Sequence, residues 1–205
     1  MRGLVLDAGM VDELVRERKR RGIDLHDEVW DGVYVFAPPP PNAQQAMVGD
    51  LCLILGEALD RKTKGRVFPG VNVSDRRKNW KHNFRVPDVV VVLKKSRAVD
   101  CDTHFAGGPD FLIEIEVAGG EGREKVPFYS QVGVRELLVL ELGGTRMWLY
   151  RHDGDSLGLV EPVAIDGKGW LSSEVVPLMF RRTRSKGTSR TLVHRTAGLA
   201  GFWTI

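Results

Sequence analysis

The spacing of apolar residues along the chain changes period several times, and each change marks an element. Residues 10–22 (MVDELVRERKRRG) read as a short, highly charged helix whose Leu14 and Val15 offer little apolar face, so it is expected at the periphery. DEVWDGVYVF follows, with β-formers on both sides of Asp31-Gly32, and predicts a hairpin with Val29, Val33 and Val35 on one face. Pro38 to Pro41 stop that pattern, because consecutive prolines can neither extend a strand ladder nor enter a helix interior. Asn42 then offers a helix N-cap. Met47, Leu51, Ile54, Leu55 and Ala58 recur at helical spacing, so a helix is predicted over 43–59, ending in the polar run Asp60–Lys64.

Beyond Gly65 the period becomes that of strands. RVFPGVNVS and FRVPDVVVVL are predicted strands, separated by the polar, turn-like DRRKNWKHN. Val89 to Leu93 is a continuous apolar run suited to a strand covered on both faces. A polar loop is expected over 94–110, then FLIEIEV as a further strand broken by Gly119 to Gly122. A helix tolerating Pro127 in its first turn follows and closes at Gly133. ELLVLEL and RMWLYRHDGD form a predicted strand pair joined at Gly143-Gly144-Thr145, and short strands are expected near 157–163 and 174–179. The sum is an α/β (α+β mixed) domain, a central mixed sheet flanked by helices with an N-terminal β-hairpin. A helical extension is expected over 1–25, the domain over 26–180 and a basic extension over 181–205.

Composition narrows the class. The chain has 205 residues, 42% hydrophobic and 28% charged, enough to bury a core. No apolar stretch is long enough to span a membrane and no leader-like N-terminus is evident, so the cytoplasm is the expected location. Cys52 and Cys101 form no CxxC or Cys/His cluster, which argues against zinc, and Cys52 is expected as a buried thiol. The five histidines, His26, His82, His104, His152 and His194, lack ligand spacing and are expected in loops or at the surface.

The net charge of +3 is unevenly spread: Arg181, Arg182, Arg184, Lys186, Arg190 and Arg195 lie in a tail with no acid, leaving residues 1–180 at about −3. That tail either tracks phosphates or is a solvated extension. A second basic cluster, Arg76, Arg77, Lys78 and Lys81, surrounds Trp80 and suits nucleic acid, whereas the plainer reading is a loop with one packing tryptophan.

The chemistry lies in acids planted in apolar strands. Asp88 follows Pro87 at the head of VVVVL, and Glu114 and Glu116 interrupt FLIEIEV. Desolvating a lone carboxylate costs several kcal/mol, so each needs a cation, a proton or an exposed position. Two residues apart in a strand, Glu114 and Glu116 share a face, with Cβ atoms roughly 6.5–7 Å apart. Joined by Asp88 they would repel one another unless a divalent ion intervened, and oxygen-only ligands favour Mg²⁺ or Mn²⁺. Lys125, in GEGREKVPFY, could steady the carboxylates, polarise a water or stabilise an oxyanion, which is the inventory of phosphodiester hydrolysis. The competing reading keeps Glu114 and Glu116 on an exposed face, paired with Arg123 or Lys125.

Three segments in this order and spacing carry a resemblance: DEVWDGVYVF with its following proline, RVPDVVVVL, and FLIEIEVAGGEGREKVPFYSQVGVRELLVLEL. Together they resemble the Uma2-type, DUF820 family, to which a restriction-endonuclease-like, PD-(D/E)xK fold is assigned. The resemblance covers about residues 26 to 180. It implies a Mg²⁺- or Mn²⁺-dependent endonuclease acting on DNA, with Asp88 as the motif aspartate and Glu114 as the motif glutamate. Glu116 stands where the core pattern has a lysine, and it is expected as an auxiliary metal carboxylate. Lys125 matches a lysine moved onto the following helix. Tyr129 matches the helix tyrosine and is expected to pack, and Glu57 is a candidate for a second metal. Gln44 replaces a histidine frequent in the family, and Val117-Ala118-Gly119-Gly120 replaces its "SPS". A non-catalytic nuclease-fold protein that binds nucleic acid or a protein partner is the alternative, and a homodimer is compatible with this fold.

Overall fold

A computed structural model of the chain describes residues 8–59, 64–117, 122–185, 187–196 and 201–205. The expected polar end of the second helix, the glycine break after FLIEIEV, Lys186 and parts of the expected N- and C-terminal extensions fall wholly or partly outside these residues. The elements are α1 (Ala8–Arg21), β1 (Glu28–Trp30), β2 (Val33–Val35), α2 (Asn42–Ala58), β3 (Gly65–Pro69), β4 (Val73–Ser74), β5 (Phe84–Arg85), β6 (Val89–Leu93), β7 (Val99–Asp100), β8 (Phe105–Ala106), β9 (Phe111–Glu116), α3 (Val126–Gln131), β10 (Glu136–Glu141), β11 (Met147–His152), β12 (Leu157–Leu159), β13 (Val163–Ile165), β14 (Lys168–Ser172), β15 (Leu178–Ser185), β16 (Thr188–Arg195) and β17 (Phe202–Thr204). Short 3₁₀ turns occupy Trp80–His82 and Gly122–Lys125.

The expected mixed α/β architecture is present, with the strands divided among three sheets. The central sheet runs β12-β11-β10-β9-β6-β3, an N-terminal sheet β2-β1-β5-β4-β8-β7, and a C-terminal sheet β13-β14-β15-β16-β17. β9 and β10 are parallel and joined through α3, while β6 lies antiparallel to β9. Both β9 and β10 are buried along their whole length, as their continuous apolar runs require.

Alternation along β9 separates two cores. Phe111, Ile113 and Ile115 face α2, joining Leu51, Ile54 and Leu55 with Leu171, Phe180 and Val193 of the C-terminal sheet. Leu112 faces the other way, toward Phe128 and Tyr129 of α3 and Val73 and Phe105 of the N-terminal sheet. Glu114 and Glu116 share the parity of Leu112 and therefore point to the α3 side. Fully enclosed leucines such as Leu51 and Leu55 each stabilise the fold by about 1.5–3 kcal/mol.

Local differences from expectation have physical causes. Asp31 and Gly32 both have positive φ, as a two-residue hairpin turn demands, and this turn pairs Val29 with Tyr34 and Trp30 with Val33. Val29 therefore shares a face with Tyr34, because odd and even positions exchange across the turn. Asn42 is the first helical residue and makes no cap; the cap position is Pro41, with extended backbone and no side-chain hydrogen bond. The loop expected over 94–110 contains β7 and β8, held by the pairing of β8 with β4. Cys52 is only half-buried. His104, expected at the surface, is buried against Trp80, ring on ring at 4.7 Å. Strands fall at 168–172 and 178–185 rather than near 174–179.

The solvated reading of the tail is also corrected. β15 runs across residue 180, β16 pairs with it over eight residue pairs, and Val193 and Thr191 are fully enclosed. Arg182, half-buried, donates to the carbonyls of Glu141 and Gly144 and to Thr191 Oγ1, which pins the β10–β11 turn. No helix among the described residues is long and apolar enough to cross a membrane.

Candidate active site

The β6–β9 register brings the first two candidate acids together. Val89 pairs with Ile113 at the end of the antiparallel ladder, and Asp88, immediately before β6, lies near enough to Glu114 to disfavour its charged form. Asp88 Oδ2 accepts a hydrogen bond from the Ile115 amide at 2.7 Å, and Oδ1 accepts one from Gln44 Nε2 at 2.8 Å. Gln44 lies in the first turn of α2, so the helix after the prolines delivers this donor to the strand head.

Glu114 is buried and surrounded. Lys125 Nζ lies 3.1 and 3.0 Å from its two oxygens, and Tyr129 donates its hydroxyl to Oε1 at 2.5 Å. The 3₁₀ turn leading into α3 delivers the lysine, and the first turns of α3 deliver the tyrosine. Tyr129, expected only to pack, therefore also holds the carboxylate.

A third acid, Glu28 of β1, completes the cluster. Its Oε1 lies 2.7 Å from Lys125 Nζ and accepts the Val86 amide at 2.9 Å, while Oε2 accepts Trp30 Nε1 at 2.7 Å. Glu28 sits in the hairpin segment, and its only signal in the sequence is an acid opening a β-forming run. Arg85, enclosed between Trp30 and Phe128 at 4.3 and 4.1 Å from the ring centres, adds positive charge beside Tyr129. His26 is close enough to Asp88 to favour its charged form.

These surroundings set the protonation of the acids. Burial raises the Glu114 carboxyl to about 7; Lys125 and Tyr129 oppose the rise, while Asp88 and Glu28 add to it. Burial likewise raises Asp88, against its bonds from Ile115 and Gln44. Burial alone would lower Lys125, but Glu114 and Glu28 more than offset it and keep the ammonium charged. Tyr129 is pushed well above its usual range by burial and by Glu114, so it stays a donor. Glu28 and Glu114 thus contact one ammonium, with Asp88 and Arg85 nearby.

The other candidates lie apart. Glu116 is buried on the same face as Glu114, with Arg123 Nε 3.9 Å away as a counter-charge. Among the described residues, no group of three or more His, Cys, Asp and Glu side chains is arranged to hold a metal ion. Glu57, near the far end of α2, is mostly exposed, 3.9 Å from Arg195, and does not join the pair. Trp80 packs on His104 and against Phe84, Arg76 pairs with Asp75, and Arg77, Lys78 and Lys81 are exposed around it.

The donor set suits a hard divalent cation. Burial raises both Asp88 and Glu114, and Asp88 adds to the Glu114 rise; a divalent cation held by the two carboxylates would relieve that repulsion and offset the cost of their burial.

A match to the Uma2 family model, described as "Putative restriction endonuclease", spans residues 15–185. No curated protein matches the chain. Among solved structures, a "putative nuclease belonging to DUF820" from Anabaena variabilis is similar, with a TM-score of 0.52 and 14% identity over 68% of this chain and 80% of that one. At that identity the likeness supports the fold alone. The family match covers most of the sequence and agrees with the segments that carry Asp88, Glu114 and Lys125. The chain belongs to the Uma2 family of restriction-endonuclease-like proteins.

Proposed function

We propose that this protein is a metal-dependent endonuclease that hydrolyses DNA phosphodiester bonds, with Asp88 and Glu114 holding Mg²⁺ or Mn²⁺ and Lys125 completing the catalytic set. The observation that carries this reading is the Lys125 ammonium 3.0 Å from the buried Glu114, with Asp88, just before β6, near enough to act on the Glu114 charge. When bound, the ion supplies Lewis-acid activation of a water and neutralises charge on the phosphate. The chain's own groups do the rest. Gln44 and the Ile115 amide fix the Asp88 carboxylate, and Tyr129 fixes Glu114. Lys125, held between Glu28 and Glu114, orients the attacking water and offsets negative charge as the phosphate becomes crowded. Glu116, beside Arg123, serves as an auxiliary carboxylate one step outside the pair.

One observation favours the second reading, a nuclease-fold protein that binds nucleic acid or a partner without cutting. Both Asp88 oxygens and both Glu114 oxygens already have protein donors. Incubation of supercoiled, linear and single-stranded DNA with Mn²⁺ separates the two. Cutting by the native chain that is lost in Asp88→Ala and Lys125→Ala supports the enzyme. Cutting that survives both variants, or no cutting under any condition, removes it.

A further inference from the structure

We propose that the outward face of the C-terminal sheet is a binding surface for single-stranded nucleic acid, separate from the acidic pair. The strands β13 to β17 contain Lys168, Arg181, Arg182, Arg184, Arg190 and Arg195, and no Asp or Glu at all. Strand alternation divides these residues. Phe180, Val193 and Leu171 turn inward to the α2-side core, and Arg182 turns inward with them. Arg195 is engaged by Glu57 and Trp203.

Opposite parity puts Lys168, Arg181, Arg190, His194 and Phe202 on the other face. Lys168 and Arg190 are exposed, and among the described residues neither has an acidic partner. Arg181 lies over the buried Trp170 ring at 6.0 Å, with its guanidinium on this side of the sheet.

Charge and shape select the occupant. A face with only positive formal charges attracts a polyanion, and the approach of phosphates is unopposed by any strand carboxylate. The same face carries rings able to stack. Phe202 is 56% exposed, and His194 lies edge-on to it at 6.0 Å. A lipid surface offers no base faces on which these rings could stack, and paired bases in a duplex do not present them a free face. Unpaired bases stacking beside a phosphate track use both. The inference shares with the nuclease reading only that nucleic acid is the partner. It stands on a different sheet, packed on the opposite side of the central sheet from Glu114.

Fluorescence anisotropy with a labelled twenty-nucleotide oligothymidine, its duplex, and anionic phospholipid vesicles as competitor tests the surface, with chelator present so that no cutting occurs. The double variant Lys168→Glu/Arg190→Glu alters exposed positions and leaves the core untouched. It is expected to weaken single-strand binding about tenfold or more and to make that binding less sensitive to salt, because fewer phosphates are neutralised. Phe202→Ala is expected to weaken single-strand binding several-fold while leaving duplex binding unchanged. Unaltered affinity in both variants, equal loss for duplex and single strand in Phe202→Ala, or displacement of the oligonucleotide by vesicles alone would overturn the proposal. Asp88→Ala serves as the separating control, since it is expected to abolish cutting and retain this binding. If the native chain fails to cut while the double variant still loses binding, the nuclease reading falls and the surface stands.

Discussion

Lys125 carries one positive charge and touches two buried carboxylates, Glu114 and Glu28, at 3.0 and 2.7 Å. Removing it leaves both acids enclosed without that counter-charge. Lys125→Met is therefore expected to cost on the order of 3–5 kcal/mol of stability, read from urea unfolding in chelator. A loss below about 1 kcal/mol would mean that the cluster is more open to water than its burial indicates. The pH dependence follows from Glu114. Its carboxyl is raised to about 7 from an ordinary 4.5, so between those values the folded chain keeps a proton that the unfolded chain has released. Stability is then present in full below 4.5, falls as pH rises toward 7, and levels off above it. Glu114→Gln should flatten that decline. An unchanged slope in the variant would assign the dependence to other groups.

At the scale of elements, the site depends on how closely the end of α3 approaches the start of β9. Gly108 lies just before β9, and its amide donates to the Val132 carbonyl at the end of α3 at 2.6 Å. A Cβ there would lie 2.2 Å from the backbone of Gly133 and Val134, so neither side can yield. Gly108→Ala should force α3 away from β9 and destabilise the protein by several kcal/mol, visible as a large drop in Tm. A Tm within about 2 °C of the native value would show that this approach is not tight.

The same elements show what is legible in the sequence. Asp88 and Glu114 stand out because a carboxylate in or beside an apolar strand is costly, and Lys125 stands out through its match to a lysine moved onto the following helix; the 3₁₀ turn before α3 brings that lysine to Glu114. Glu28 does not stand out. An acid at the start of a hairpin strand is ordinary at the surface, and only the packing of the N-terminal sheet against the α3 side turns it inward. The expectation of a third acid therefore falls on Glu116, whose parity is right but whose place in the strand sets it beside Arg123. The hairpin faces differ from expectation for a related reason: periodicity counted along one chain does not survive a turn.

For the whole molecule, the C-terminal strands are part of the core although they carry most of the basic excess. Phe180 and Val193 close the α2-side core, and Ile205 packs against it. A chain ending after residue 186 would expose that apolar surface. It is expected to aggregate or unfold, as judged by light scattering and near-ultraviolet circular dichroism. A soluble, cooperatively folding truncation would show that the family-matched region, residues 15–185, is self-sufficient. Charge composition alone hides this role, because an arginine-rich tail and an amphipathic strand with outward arginines have the same net charge. Only the alternation of Leu192, Val193 and His194 against Met179, Phe180 and Arg181 separates them.

The claim on which the catalytic account turns is that a divalent ion is held by the Asp88 and Glu114 carboxylates. Anomalous diffraction from crystals soaked in Mn²⁺ measures it directly. The account predicts one strong peak within coordination distance of both Asp88 and Glu114, about 2.0–2.6 Å from each carboxylate oxygen it binds, and no such peak in Asp88→Asn crystals. No peak at this pair at saturating Mn²⁺, or a peak that persists in the variant, would contradict it.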